Sequence, residues 1–569
     1  MKNNNVELDD IQRKIVYSNI KQNIIVNAPP GSGKTTIMAK RIDYLIQNHL
    51  IKFPFRILGL TFSNAAANEM KSRLFSNELT SKLQITTFHS FAFSILKSYA
   101  NYIGLKNDFK ILSDHESKKL KRRLIIKHFN KELNEIIPQN KKNQIDIYQE
   151  KYKVWINETL LKCNNYKSVL DSKFNLIMNE YRQKLKDKNV LDYDYLLYYS
   201  NMLFESNSNV LKYYSSSFRY MVIDEFQDTN VLQFNLIKKI ILSSNNLVNI
   251  LVLCDSNQAI YAFQGATTEN IENAKKEFNC KEFNLKKDYR ISSPEIKKIK
   301  INVSLKIDDF YTTLMDENEK IPLNLFDNEN NELRFVMKIL NELIKDGVDL
   351  EDIAIIAPVE WRLKNLKRHL LKNSIDHVYV PSLSKSKIIE KYKNIFDSLL
   401  SFKNENNTLN QTIFNICSKN RVNVNTDAIK LLISISKRYD KKYNNLSLND
   451  KIEKFYNEFL LDINIEDLLK NSFKDKIFLS TIHGVKGLEF ENVIIIGLEN
   501  KVIPHHSVCE KCNNGENVLL DELSDALKLL YVGITRAKNK LYLTGIGRRT
   551  GIIKHGTCLL KGCSKYIYN

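Results

Sequence analysis

The run Asn23-Ile-Ile-Val26 leads at once into Ala28-Pro-Pro-Gly-Ser-Gly-Lys-Thr35 and then into Ile37, Met38, Ile42 and Leu45 at helical spacing. Few folds accept a strand, a glycine loop and a helix in that order. An apolar strand without polar alternation is buried on both faces, as in a parallel sheet covered by helices. The loop between suits phosphate. Gly31 and Gly33 let backbone N–H groups approach an anion, Lys34 adds a point charge, and the Thr35 hydroxyl stands ready for a metal, with Thr36 beside it. Ala28, where the common pattern has its first Gly, completes the loop backbone with Pro29, Pro30 and Ser32. A second apolar run, Tyr220-Met-Val-Ile-Asp-Glu-Phe-Gln-Asp-Thr229, ends in paired acids. Asp224 can hold Mg²⁺, and Glu225 can orient or deprotonate an attacking water.

Composition bounds what such a site can serve. The 569 residues exceed one domain and leave room for about four units with their own cores. Lys and Arg total 85 against 65 acids, a formal charge of +20, which fits a polyanionic partner. The polar start Met1-Lys-Asn-Asn-Asn-Val6 has no apolar run for a signal peptide, and no membrane span is expected, so a cytoplasmic location is predicted. Eight cysteines in so long a chain do not make a disulfide framework, and Cys163, Cys254, Cys280 and Cys417 read as ordinary thiols. Near the carboxy terminus Cys509 and Cys512 follow His505 and His506, while Cys558 and Cys563 follow His555. Zinc is conceivable there, but unligated surface thiols are the expected state.

Two α/β segments emerge along the chain. Strands are expected near 57–61, 221–223 and 250–253 in the first, and near 353–356, 477–479, 493–496 and 541–544 in the second. Each is interrupted by a helical, charged stretch. The predicted fold is α/β with two RecA-like P-loop NTPase domains on parallel sheets. Domain 1A spans 1–112 and 190–275 with insertion 1B at 113–189, and domain 2A spans 276–380 and 475–569 with a reduced insertion 2B at 381–474.

Further segments, in order, carry a family resemblance. Leu8-Asp-Asp-Ile-Gln12, the loop at 28–35, Thr86-Thr-Phe-His-Ser-Phe91, Leu191-Asp-Tyr-Asp-Tyr-Leu196, Tyr261-Ala-Phe-Gln-Gly-Ala266, Asp288-Tyr-Arg290, Phe478-Leu-Ser-Thr-Ile-His483 and Gly533-Ile-Thr-Arg536 follow one another in family order. The chain resembles superfamily 1A DNA helicases of the UvrD, Rep and PcrA type. The resemblance implies ATP and Mg²⁺ as cofactors and single-stranded DNA and DNA junctions as partners, with 3′→5′ movement. It implies that Gln12 reads the adenine edge, Tyr289 stacks on it, and Glu489 accepts from the ribose. Gln258 becomes a phosphate or water sensor, and Arg290 and Arg536 become arginine fingers. Phe62, Asn64, Thr87, His89, Tyr193, Tyr261, Phe263, Thr481 and His483 become contacts to the strand. Aromatic stacking suits a motor, because every base has a face to stack.

Three departures matter. Gln264 stands where the family has an Arg that reaches the γ-phosphate, Asp288 replaces the usual Asn, and Cys254 the usual Gly. Loss of a full charge at 264 predicts slower turnover or looser coupling. The short 2B insertion and short tail resemble helicase subunits of bacterial anti-phage systems, Gabija in particular, which implies a nuclease partner. The alternative from another class is a DNA-sensing regulatory NTPase that acts with a partner and does not unwind processively.

Overall fold

The computed structural model describes residues 7–61, 82–136, 138–162, 169–262, 265–308, 321–380, 388, 391–402, 407–424, 426–461, 475–505, 507–509, 520–550, 553–555, 557–561 and 564–568. The expected contacts Phe62, Asn64 and Phe263, and the substituted Gln264, lie outside them.

The first half contains β1 (Ile24–Asn27), β2 (Arg56–Thr61), β3 (Leu83–Thr87), β4 (Lys110–Ile111), β5 (Val190–Leu191), β6 (Phe218–Ile223), β7 (Asn249–Cys254) and β8 (Lys281–Asn284). The second contains β9 (Ile321–Phe326), β10 (Ile353–Ala357), β11 (His377–Tyr379), β12 (Ile477–Thr481), β13 (Phe490–Ile495), β14 (Ala537–Ile546), β15 (Arg548–Thr550), β16 (Ile553–His555) and β17 (Ser564–Tyr568).

Six strands form the first sheet in the order β3-β2-β6-β7-β1-β8, every neighbouring pair parallel. Its central strands are mostly apolar because both faces are covered. Ile24 and Val26 of β1 join Tyr220 and Val222 of β6 in a core with Ile37, Met38, Ile42 and Leu45 of the helix after the loop. Ile25, Met221, Ile223, Ile250 and Val252 point the other way into the larger core. The second sheet, β11-β12-β10-β13-β14-β9-β17, is also parallel, and β10 splits in the same manner, Ile353 and Ile355 to one face and Ile356 to the other.

The insertions fall where the sheets allow them. Strands β4 and β5 pair with each other, Lys110 with Val190 and Ile111 with Leu191, and so close the base of an insertion of helices Asp114–His128, Pro138–Lys162 and Val169–Asp187. The second insertion runs from β11 to its parallel neighbour β12 and includes helices Lys393–Leu400, Leu409–Lys419, Asp427–Lys442 and Leu448–Leu461.

One boundary needs correction. Domain 1A was expected to end at 275, yet β8 pairs with β1 in the first sheet, Ile24 opposite Lys281 and Asn27 opposite Asn284. The next helix, Pro294–Asp308, packs instead on helix Leu520–Ile534 and on β14 of the second half. The passage between halves is therefore the segment after β8, which carries Asp288, Tyr289 and Arg290.

Candidate nucleotide cleft and nucleic-acid interface

Strand β1 delivers the chain to the cleft with its end pinned, Ala28 N–H donating to the Cys254 carbonyl at 2.8 Å. Gly31 and Gly33 take φ of +83° and +86°, a region costly for other residues, and Lys34 opens the helix Lys34–Gln47. Helix start and exposed loop N–H groups together make an anion cradle. Ser32 folds back onto Pro29, its hydroxyl donating to that carbonyl at 2.7 Å. Gln12, expected at the adenine, is engaged on both sides of its amide. Its Oε1 accepts from Asp9 N–H at 3.1 Å in a capping box, and its Nε2 donates to the Ser32 carbonyl at 3.0 Å. Tyr289 is half-exposed on the same side, its hydroxyl donating to Asp9 at 2.7 Å.

Beneath the loop, Lys34 Nζ meets Glu225 Oε1 at 3.0 Å. Burial opposes its charge, but Glu225, Asp224 and Asp255 outweigh that and hold its pKa above the ordinary lysine value. Glu225 answers in kind. Burial would raise it, yet Lys34 and Lys486 pull its carboxyl down to about 2. It sits at φ +50°, a left-handed conformation that costs a side-chain-bearing residue roughly 1–2 kcal/mol. Asp224, at the end of β6, is nearly buried and accepts Glu225 N–H at 2.9 Å. Its carboxylate and the Thr35 hydroxyl are hard oxygen donors beside the phosphate cradle, a set that fits Mg²⁺.

From Glu225 a hydrogen-bonded relay crosses to the second half. Gln227 donates to Glu225 and accepts from Asp255 N–H at 2.9 Å, and Gln258 Nε2 donates to Asp255 Oδ2 at 2.7 Å. Arg536, from the second half, donates to Gln258 Oε1 at 3.1 Å. Only 2% of Arg536 is exposed, and its other guanidinium bonds reach Val532 O, Leu488 O and Thr535 Oγ1 at 2.9–3.0 Å. Burial and the Arg290 charge press its pKa down to about 10. Arg290 itself pairs with Glu489 at 2.6 Å, and Lys538 holds the other Glu489 oxygen at 3.1 Å. Two residues expected on different parts of one nucleotide thus stand together in the cleft.

The candidate nucleic-acid face begins one residue beyond Gln227, at Asp228. Lys486 donates to Asp228 Oδ2 at 2.5 Å and to the Gln258 carbonyl at 2.6 Å, and its ammonium lies 4.8 Å from the centre of the Tyr261 ring. Tyr261 is 6.5 Å from the His483 ring, whose pKa is lowered by burial and by Lys486. Burial pushes Asp228 up to about 7, Lys486 opposing and Glu225 adding to the rise. His89 and Tyr193 meet edge to face at 5.4 Å and line a cavity of about 630 Å³ between the first sheet's helices and the first insertion. Thr87, expected on a phosphate, is buried and caps helix Phe88–Tyr99, its hydroxyl accepting from Ser90 N–H at 3.2 Å. Thr481 likewise accepts from Gly484 N–H at 3.3 Å. Lys486, Asp228, Gln227 and Asp255 are site residues to which the motifs of the sequence assign no role. A lysine among glycines and apolar residues, and an acid directly after a glutamine, were the available signals.

The family model described as UvrD/REP helicase N-terminal domain matches residues 8–279, and that of the UvrD-like helicase C-terminal domain matches 381–547. The chain belongs to the UvrD-like helicase family. This UvrD-like helicase is 27% identical to a probable DNA helicase II homolog of Mycoplasma capricolum subsp. capricolum, over 95% of its own length and 84% of the relative's. It is 26% identical to the ATP-dependent DNA helicase PcrA of Bacillus subtilis, covering 93% and 81% of the two chains. Against the ATP-dependent DNA helicase Rep of Buchnera aphidicola subsp. Baizongia pistaciae the identity is 26%, over 94% and 90%. The family match agrees with the two parallel sheets and the cleft between them.

Among the described residues of the UvrD-like helicase no cluster of three or more His, Cys, Asp or Glu side chains could hold a metal ion by itself. Among the described residues Cys509 and Cys558 are in no disulfide, while Cys512, Cys563 and His506 lie outside those residues. No described helix is long and apolar enough to cross a membrane.

Proposed function

We propose that this UvrD-like helicase is an ATP-dependent DNA helicase that moves 3′→5′ along single-stranded DNA and opens duplex at its junctions, in repair or replication. The observation that carries the reading is the relay from Lys34 through Glu225, Gln227, Asp255 and Gln258 to Arg536, with Lys486 tying its Gln258 end to Tyr261. Phosphate chemistry and a base-stacking ring are thereby two ends of one network.

The chemistry follows from the charges. Bound Mg²⁺ would be held by Asp224 and Thr35 and would neutralise charge on the phosphate oxygens. Without nucleotide, Lys34 is paired with Glu225; a triphosphate in the cradle competes for that ammonium. Glu225 then loses the neighbour that most depresses its pKa and becomes a better acceptor for the proton of the attacking water. Gln258 positions that water, and Arg290 and Arg536 meet the charge that develops on the γ-phosphate. Both fingers come from beyond β8, so turnover requires the two halves to close, and closure moves Tyr261 relative to His483 and Thr481.

Gln264 favours a second reading, a DNA-sensing NTPase that works with a partner such as a nuclease. Strand displacement on duplexes with a 3′ or a 5′ single-stranded tail separates the two. Unwinding of the 3′-tailed substrate alone supports the motor; ATP hydrolysis with DNA and both duplexes intact supports the sensor.

A further inference from the structure

Five successive carbonyls of the phosphate loop, Pro29 to Gly33, each accept a hydrogen bond. Pro29 O accepts from Ser32, Ser32 O from Gln12 Nε2, and Gly33 O from Ile37 N–H at 3.0 Å inside the helix. The two between them are held from outside the first half's sheet. Gly31 O accepts from Tyr289 N–H at 2.8 Å, and Pro30 O accepts from Lys300 Nζ at 2.7 Å. In a planar trans peptide the C=O and N–H point opposite ways, so fixing Pro30 O outward aims Gly31 N–H inward, at the anion.

Lys300 stands on helix Pro294–Asp308, which packs against the second half, and it is only 7% exposed. Its second bond is to Asp288 Oδ2 at 2.6 Å. The other Asp288 oxygen accepts from Arg290 N–H at 2.9 Å and Ile291 N–H at 3.1 Å, so the same carboxylate shapes the backbone that presents the Arg290 finger. The contact is tight: a Cβ on Gly31 would run into the Asp288 carboxylate and would stand 2.9 Å from Arg290 Cβ. The buried Lys300 ammonium and the part-buried Asp288 carboxylate each need the other, because either alone would be a poorly compensated charge.

We infer that Asp288 and Lys300 form a positioning pair that sets nucleotide affinity, Lys300 holding the Pro30 carbonyl so that the loop presents its N–H groups, and Asp288 holding Lys300 and the Arg290 turn together. Because Lys300 belongs to the second half and Pro30 to the first, the pair registers one half against the other at the phosphates. The inference rests on the cleft being a nucleotide site.

The test is a four-protein cycle: wild type, Asp288→Asn, Lys300→Gln and the double variant. Binding of a fluorescent ATP analogue with Mg²⁺, ATP KM, kcat and nucleotide-free single-strand affinity are measured for each. Lys300→Gln is expected to weaken analogue binding and raise KM tenfold or more while kcat falls less than threefold. Asp288→Asn is expected to weaken binding by a smaller factor, and the double variant to bind more tightly than Lys300→Gln, since the neutral pair leaves no unpaired charge. Nucleotide-free strand affinity and melting temperature identify a variant that fails merely by unfolding; for such a protein Lys300→Arg, which keeps the charge, must restore KM. Unchanged KM in Lys300→Gln, equal losses in KM and kcat, or additive losses in the double variant would overturn the pairing. A wild type that binds no analogue would instead overturn the nucleotide reading itself.

Discussion

The candidate nucleotide cleft and the expected strand-contacting face are built on different terms, although one lysine separates them. In the cleft every group is held: Arg536 makes four hydrogen bonds, Glu225 touches Lys34 and Gln227, and Glu489 is gripped by Arg290 and Lys538. At the expected strand face rings meet, His89 edge to face with Tyr193 and Tyr261 near His483, beside the hydrogen-bonded hydroxyls of Thr87 and Thr481. Phosphoryl transfer needs donors fixed to fractions of an ångström, whereas a surface that must accept any base needs faces to stack on. Lys486 belongs to both, bonded to Asp228 and Gln258 on one side and lying against Tyr261 on the other.

The largest effect should come from the cleft. Glu225→Gln keeps shape but removes the base, and DNA-stimulated kcat should fall by about 10²–10⁴ with single-strand affinity retained; a loss of both together would dissolve the distinction between regions. Arg536→Lys keeps a charge but not the fork that reaches Gln258, Leu488 and Val532 at once, and a fall of about 10³ in kcat is expected from finger loss, read in steady-state ATPase. At the expected strand face Tyr261→Ala should cost about 1–3 kcal/mol of single-strand affinity, roughly fivefold to 150-fold in Kd, with DNA-free ATPase nearly unchanged. An equal loss of DNA-free turnover would show Tyr261 to be part of the cleft instead.

The smallest expected effect is on the junction and is a pH dependence. Burial raises Asp228 to about 7, while Glu225 at about 2 stays ionised throughout. Below pH 7 the Asp228 carboxyl is protonated and gives Lys486 a neutral partner; above it the ion pair is complete. DNA stimulation of the ATPase should therefore rise severalfold from pH 6 to 8, and Asp228→Asn should flatten that limb. A rise that persists in the variant would assign it to another group.

Much of this was legible in the chain because its signals are local. The loop at 28–35, the acids after β6 and the apolar runs of β1, β6, β7, β10 and β13 each declare themselves within ten residues. Strand β8 does not: Lys281-Glu-Phe-Asn284 is polar, lies at the sheet's edge, and pairs only because β1 is there to receive it. The two-residue strands β4 and β5 are too short to show a period. Thr87 carries the right chemistry for a phosphate, but its place at a helix start turns the hydroxyl to a cap. Lys486 and Asp228 are separated by 258 positions, and Lys300 and Pro30 by 270, so their partnerships exist only once both halves are folded.

Coupling of nucleotide turnover to strand contact is measured by steady-state ATP hydrolysis with and without a single-stranded oligonucleotide, with Glu225→Gln as the blank. Strong stimulation by DNA is expected in the wild type and none in the variant. Equal wild-type rates with and without DNA would contradict the coupling.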